Sequence, residues 1–259
     1  MAEGCRVLEC DAPSDLSPFV AKLVSVQTFS RYVRFRVLDG CCVLGFGVNS
    51  ARNEVASYVM SPWSYLGNVQ VEDGWKFVEA RFRWGAGPVF LRCSPQDLGH
   101  AVASPYGLFG AAWEQETESL AAARDVKEMM ELFTGFLRRA APDRLALHPA
   151  VRRAVQILER SETNISVAEL ADGAYISASQ LRRLFASQHG LSPSQSIRVR
   201  RLWRAMDHSR RNSFGAWSAS AVEAGFCDQA HLVDEFRRIT GLTPTKWQAT
   251  LTGVVADAS

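Results

Sequence analysis

No stretch of the 259-residue chain is apolar for long enough to cross a bilayer. The longest such run, around Cys41–Val48, falls far short of the roughly 20 residues a spanning helix needs. Met1–Asp15 lacks an apolar core and carries Glu3, Glu9, Asp11 and Asp15, so no secretory leader is expected. The six cysteines, Cys5, Cys10, Cys41, Cys42, Cys93 and Cys227, include no Cys-x-x-Cys pair and no spacing typical of a disulfide framework. They read as thiols and small buried hydrophobes in a reducing compartment, which points to the cytoplasm. His100 is the only histidine before residue 142, which argues against a metal centre built on several histidines in that half. His189, His208 and His231 have no metal-ligand spacing, and neither a Gly-rich phosphate loop nor a Ser/His/Asp arrangement stands out. Membrane and secreted classes fall away, and no metal or cofactor is expected.

Net charge says little, with 29 basic against 27 acidic residues, but its distribution is uneven. Residues 1–142 hold 14 basic and 16 acidic side chains, whereas residues 143–259 hold 15 and 11. Between Asp172 and Asp207 there is no acid, yet Arg182, Arg183, Arg198, Arg200, Arg201 and Arg204 fall there. Such a run is either a solvated helix face or a surface for polyanions, since guanidinium groups suit phosphates and guanine edges. An effector half followed by a polyanion-binding half is the expectation.

Periodicity divides the chain at the same place. Val33, Phe35 and Val37 alternate with Arg34 and Arg36, and Val78, Ala80, Phe82 and Trp84 alternate with Glu79, Arg81 and Arg83, as in half-buried strands. Cys41–Phe46 and Glu54–Met60 read as further strands between turn residues. Ser94-Pro95-Gln96-Asp97 predicts a helix start, and Met129, Leu132, Phe133 and Phe136 predict a helix over Asp125–Arg139. Ala141-Pro142-Asp143 breaks it and marks the linker. Met129 and Phe133 are candidates for a dimer seam or for packing against the sheet.

From His148 the pattern is helical. Val151, Val155 and Leu158 share a face; Ser166…Glu169, Ser177…Gln180 and Ser192…Gln195 fit the capping box; Asp228 and Thr243-Pro244 offer two more helix starts. Leu181, Phe185, Gly190, Leu191 and Pro193 recur 51 residues later as Leu232, Phe236, Gly241, Leu242 and Pro244, while Ala171 pairs with Ala221 at 50. The second copy therefore has one extra turn residue. Each copy is a short helix, a turn and a helix with Leu and Phe inward, the helix-turn-helix pattern. The architecture expected is an α+β two-domain chain. Residues 1–142 would form a β-rich sensor domain with flanking helices, and residues 143–259 an all-α domain of about seven helices with two helix-turn-helix units.

The stretch from about Leu145 to Leu251 resembles the DNA-binding domain of the AraC/XylS transcriptional regulators. The resemblance rests on Glu169-Leu170-Ala171, Leu181-x-Arg183-x-Phe185, Gly190-Leu191-Ser192-Pro193, Arg201-Leu202-x-x-Ala205, Gly225-Phe226-x-Asp228 and Gly241-Leu242-Thr243-Pro244. It implies two units joined by a long helix, here Pro193 to about Asp207, each placing its second helix in one of two adjacent major-groove segments. It also implies double-stranded DNA as partner, RNA polymerase if the protein is an activator, and a front domain that binds a small molecule or supports a homodimer. Departures from the family pattern are Asp234 where a basic residue is common, Ser220 for an aliphatic, Ser196 for a tyrosine, His208-Ser209 for a leucine pair, and an entry lengthened by Phe214-Gly215.

Helix geometry nominates the readers. With Leu181, Leu184, Phe185 and Gln188 inward, Ser179, Gln180, Arg182 and Arg183 are the base-edge candidates, Gln180 matching adenine and arginine guanine. Arg198 and Arg201 would hold phosphates or pack. The second unit would present Gln229, Ala230, Val233, Asp234 and Arg237; an aspartate there repels phosphates but can accept from cytosine, so the first unit is expected to carry most of the affinity. In the front half, Asp39-Gly40-Cys41-Cys42, Arg81-Phe82-Arg83 and Leu108-Phe109-Gly110 resemble an uncharacterised domain found before such units. Trp63, Tyr65, Trp75 and Trp84 are candidates for an effector pocket or for core. The alternatives to a small-molecule sensor are a cysteine-based alkyl acceptor, for which Cys5, Cys10, Cys41 and Cys42 are poorly spaced, and a protein-interaction module; the chain is otherwise expected not to be an enzyme.

Overall fold

The structure, a computed structural model, describes residues 4–30, 32–35, 40–62, 68–98, 102–161, 164–212 and 216–251. Among the described residues eight strands come first, with a short helix before the last. These are β1 (Cys5–Asp11), β2 (Val20–Thr28), β3 (Tyr32–Phe35), β4 (Val43–Asn49), β5 (Glu54–Met60), β6 (Asn68–Val71) and β7 (Trp75–Phe82), then α1 (Ala86–Leu91) and β8 (Val102–Ala103). Six strands form one antiparallel sheet in the order β1-β2-β7-β4-β5-β8, and β3 pairs with β6 apart from it. Every residue of β4 is buried. Gly45 and Gly47 make that possible: a Cβ at either would lie within 2.4 Å of the Tyr58 or Phe77 ring, so the rings of both neighbouring strands cross β4 only where it has no side chain.

Of the predicted strands, Glu54–Met60 is found with the same limits, and Cys41–Phe46 and Val78–Trp84 are found shifted by two or three residues. Residues 36–39 of the first predicted strand lie outside the described residues. The alternation does not reveal β1 or β2, for opposite reasons: β1 is an edge strand exposed on both faces, and β2 is almost wholly buried. The predicted helix at Ser94 is a single turn. Its capping bonds form, Ser94 N to Asp97 Oδ2 at 3.0 Å and Asp97 N to Ser94 Oγ at 3.2 Å, and the described residues 95–98 make a turn.

Helices α2 (Tyr106–Phe109), α3 (Ala111–Ala121) and α4 (Val126–Ala140) close the sheet's core. Asp125 caps α4 by accepting from the N–H groups of Lys127 and Glu128, both at 2.9 Å. Met129 and Phe133 are completely buried with Phe46, Phe82, Phe90 and Trp113, so they pack within this chain and offer no dimer seam.

Seven helices follow: α5 (Pro149–Arg160), α6 (Val167–Gly173), α7 (Ala178–Gln188), α8 (Pro193–Arg211), α9 (Trp217–Glu223), α10 (Gln229–Thr240) and α11 (Pro244–Leu251). The capping boxes at Ser166, Ser177 and Ser192 all form. Helix α8 runs a turn beyond the expected Asp207 and changes partners along its length: Ile197 packs with the core of α5–α7, whereas Leu202, Ala205 and Met206 belong to the core of α9–α11.

The two halves touch at the C-terminal end of α7. Trp84 lies against the ring of His189 at 5.4 Å, and His189 against Phe185 at 5.0 Å. Gln96 Nε2 donates to Ala186 O at 2.8 Å, and Gly190, at φ 93°, leaves room beside Pro95 and Pro62. His189 is fully buried and neither ring nitrogen has a hydrogen-bond partner. Burial pushes its pKa down to about 4. An unfolded histidine titrates near 6.5, so between about pH 6.5 and 4 the unfolded chain takes up a proton that the native chain refuses. This histidine's contribution is therefore intact above that window and lost as the pH falls through it, by on the order of 3 kcal/mol. Urea titrations from pH 7 to 4 should show wild type losing more stability than His189→Phe; parallel curves would contradict the buried neutral ring.

Candidate nucleic-acid interface

The internal repeat is visible in the backbone. In the first unit Ile176 N–H donates to Ala171 O at 3.1 Å; in the second Phe226 N–H donates to Ala221 O at 2.8 Å, an offset of 50. The turn needs a left-handed residue between the helices, supplied by Tyr175 at φ 57° and by Gly225 at φ 75°. The N-caps Ser177 and Asp228 are offset by 51, so Cys227 is the extra turn residue of the second copy. Beyond the caps, Leu181 and Phe185 match Leu232 and Phe236, all completely buried. Asn164 Nδ2 donates to Gly225 O at 2.8 Å, tying the α5–α6 connection to the second turn.

On α7 the predicted stripe is exposed as expected: Ser179, Gln180, Arg182, Arg183 and Ala186 all face solvent. Gln180 is already occupied in part, because its Oε1 accepts from Ser177 N at 3.0 Å and Ser177 Oγ at 3.1 Å as the capping-box partner. Its acceptor is spent on the helix start, where the sequence had offered it to adenine. On α10, Gln229, Ala230, Asp234 and Arg237 are exposed and Val233 is half-buried. Asp234 and Arg237 pair with each other at 3.8 Å, so each partly screens the other's charge.

The acid-free arginine run divides in an unexpected way. Arg198 binds the buried carboxylate of Glu235, which Arg238 also binds. Arg201 lies 4.3 Å from the Phe226 ring with its Nε buried and without an acceptor. Arg200 donates to Leu158 O at 3.0 Å and Glu159 O at 2.8 Å, and Arg204 to Glu223 O at 3.0 Å, so both satisfy carbonyls at helix C-termini. Of the two roles offered for Arg198 and Arg201, both side chains serve packing. Only Arg182 and Arg183 of the run stand fully out from the surface. Glu235 was missed because an acid beside Phe236 looks like a solvated position; the one signal was the arginine-rich helix opposite.

Two departures from the family pattern compensate each other. His208 Nδ1 and Ser220 Oγ lie 3.1 Å apart across α8 and α9, a polar pair where leucine and an aliphatic residue were expected. Buried Ser196 satisfies its hydroxyl on Ser192 O at 3.0 Å. Phe214 and Gly215 lie outside the described residues. So do Trp63 and Tyr65 of the effector candidates. Trp75 opens β7 and Trp84 lies two residues past its end, so the length of the strand separates them. Trp75 stacks on Phe77 at 5.1 Å and Trp84 meets His189, so these two line no common pocket.

Residues 170–250 match the family described as "Helix-turn-helix domain". Residues 170–250 are thus similar to a helix-turn-helix domain. Over 92 residues the chain is 35% identical to "Probable transcriptional regulator LumQ" of Photobacterium leiognathi, covering 36% of this chain and 37% of that protein. The match thus spans little more than a third of this curated relative. The fold is similar to the crystal structure of ToxT from Vibrio cholerae O395, with a TM-score of 0.45 and 11% identity over 96% of this chain and 98% of that one.

Within the carboxy-terminal helices the Arg198–Glu235–Arg238 cluster yields a test. Burial pushes the Glu235 carboxyl up, but the hydrogen bonds from Arg198 and Arg238 outweigh it and hold the group below the usual carboxylate range. A carboxylate so depressed stabilises the fold at neutral pH, and the contribution is lost as the pH falls through its lowered value. Glu235→Ala leaves Arg198 without its counter-charge and is expected to cost about 3–5 kcal/mol in chemical denaturation at pH 7. Arg238→Ala, removing the more exposed partner, should cost less than half of that; the reverse order would show that the cluster is not organised around the buried carboxylate.

Proposed function

We propose that the chain is a sequence-specific DNA-binding transcription regulator, an activator, in which residues 143–259 read DNA and residues 1–142 sense a small molecule or support a homodimer. The observation that carries this reading is the duplicated turn geometry, with two exposed helix faces mounted on one continuous helix. Helix α8 has 19 residues and so a length of about 28 Å, close to the roughly 34 Å that separates major-groove segments one turn apart. Its partners are double-stranded DNA and, for an activator, RNA polymerase; its place is the cytoplasm, and its role is binding and not catalysis. No helix among the described residues is long and apolar enough to cross a membrane.

Contact between the front half and α7 supports a coupling role. Trp84, Gln96 and Pro95 all engage residues at the end of the first reading helix. An effector that favours one arrangement of that contact would shift the population of DNA-competent molecules, provided it binds the two arrangements unequally. A homodimer would add affinity on paired half-sites through effective concentration, using a surface other than the buried Met129–Phe133 face.

The first unit is expected to dominate affinity, because Arg183 is unengaged among the described residues whereas Arg237 is held by Asp234. In fluorescence-anisotropy titrations on operator DNA found by genome-wide footprinting, Arg183→Ala should cost about 1–3 kcal/mol, and Arg237→Ala clearly less. Binding should weaken steeply with added salt. A larger loss from Arg237→Ala would reverse the assignment, and salt-insensitive or absent binding would remove the DNA-reading role.

A further inference from the structure

A cavity of about 550 Å³ opens among the C-terminal end of α1 and helices α2, α3 and α4, within the roughly 300–1,000 Å³ of small-molecule sites. Leu108, Phe109 and Phe136 make it apolar on one part of its lining. The two rings meet edge-to-face at 5.3 Å, and the fully buried Trp113 backs Phe136 at 5.1 Å.

The rest of the lining is charged. Glu116 is buried and accepts from Arg139 Nη2 at 2.5 Å, while the Arg139 side chain remains two-thirds exposed. A guanidinium has five N–H donors in a planar fork, so this bond leaves donors for a second acceptor. Arg92 adds a cation that no further acid in the lining balances. It sits at φ 53°, where glycine or asparagine is usual, and its N–H closes α1 on Pro88 O and Val89 O. A bulky residue kept in that region at a cavity rim is strain of the kind found at ligand sites.

We propose that this cavity binds a small monocarboxylate with a compact apolar body, its carboxylate held by Arg92 and Arg139 and its body on Phe109 and Phe136. Naming it the effector site rests on the sensor role given above to residues 1–142. One net positive charge beside an apolar wall selects a monoanion: a neutral molecule forgoes the charge-assisted bonds, and a second carboxylate would face Glu116.

Isothermal titration of the full chain without DNA tests it, using 3-cyclohexylpropanoate and, as the uncharged control, 3-cyclohexylpropan-1-ol. The carboxylate should bind at least tenfold more tightly than the alcohol. Arg92→Met, which leaves the Glu116–Arg139 pair intact, should remove most of that preference. So should the double change Arg139→Met with Glu116→Gln, which avoids leaving a buried carboxylate alone. Equal binding of the two probes, no binding of the carboxylate, or an unchanged preference in both variants would overturn the proposal. Because no DNA is present, those failures leave the DNA-reading role standing. Binding of the expected pattern that leaves operator affinity unchanged would instead overturn the sensor reading and keep the site.

Discussion

Everything in the carboxy-terminal domain depends on α8 being one uninterrupted helix. Its early residues complete the core of the first unit and its later ones the core of the second, so a single rod fixes how α7 and α10 are set relative to each other. A capping box and proline begin it, and His208, Arg210 and Arg211 suit the negative end of its dipole. Because each unit borrows one wall from α8, neither can move alone without exposing apolar surface. Asn164, bonded to the second turn from the α5–α6 connection, adds a second tie between the units.

That shared rod explains how the arginines are used. A long helix flanked by shorter ones leaves helix C-termini whose carbonyls need donors, and a long fork-shaped side chain reaches them where solvent is partly excluded. Arg200 and Arg204 do this for α5 and α9, and Arg198 neutralises the buried Glu235 of α10. The excess of positive charge in this half is therefore partly structural. Arg182 and Arg183 of the first unit are exposed and unpaired among the described residues, whereas in the second unit Arg237 pairs with Asp234 and Arg238 with Glu235. The asymmetry between the units is thus one of how their surface arginines are engaged.

What could be read from the chain follows from which signals are local. Caps at Ser166, Ser177, Ser192 and Asp228 are three-residue patterns, and they predicted helix starts that the structure contains. The repeat was equally plain, since turn geometry repeats whenever its residues do. Side-chain destination was not. Arg198 and Arg183 look alike in sequence, and only the fold shows that one faces a buried carboxylate and the other solvent. In the front half the local signals found β4, β5 and β7 and passed over β1, exposed on both faces, and β2, buried on both. The described tryptophan candidates share no pocket because Trp75 begins β7 and Trp84 follows its end, with the extended strand between them.

The front half meets α7 by two routes. One is the Trp84–His189–Phe185 ring stack, which follows β7 out of the sheet. The other starts at Arg139, near the end of α4 and in the lining of the cavity, and passes along residues 141–148 to His148, whose N–H donates to Gln188 Oε1 at 2.9 Å. Both end on the last turn of α7, which His189 closes with its N–H on Phe185 O at 2.8 Å. In the ring stack the central histidine leaves both nitrogens without a hydrogen-bond partner, so apolar contact with Trp84 and Phe185 must offset their lost hydration.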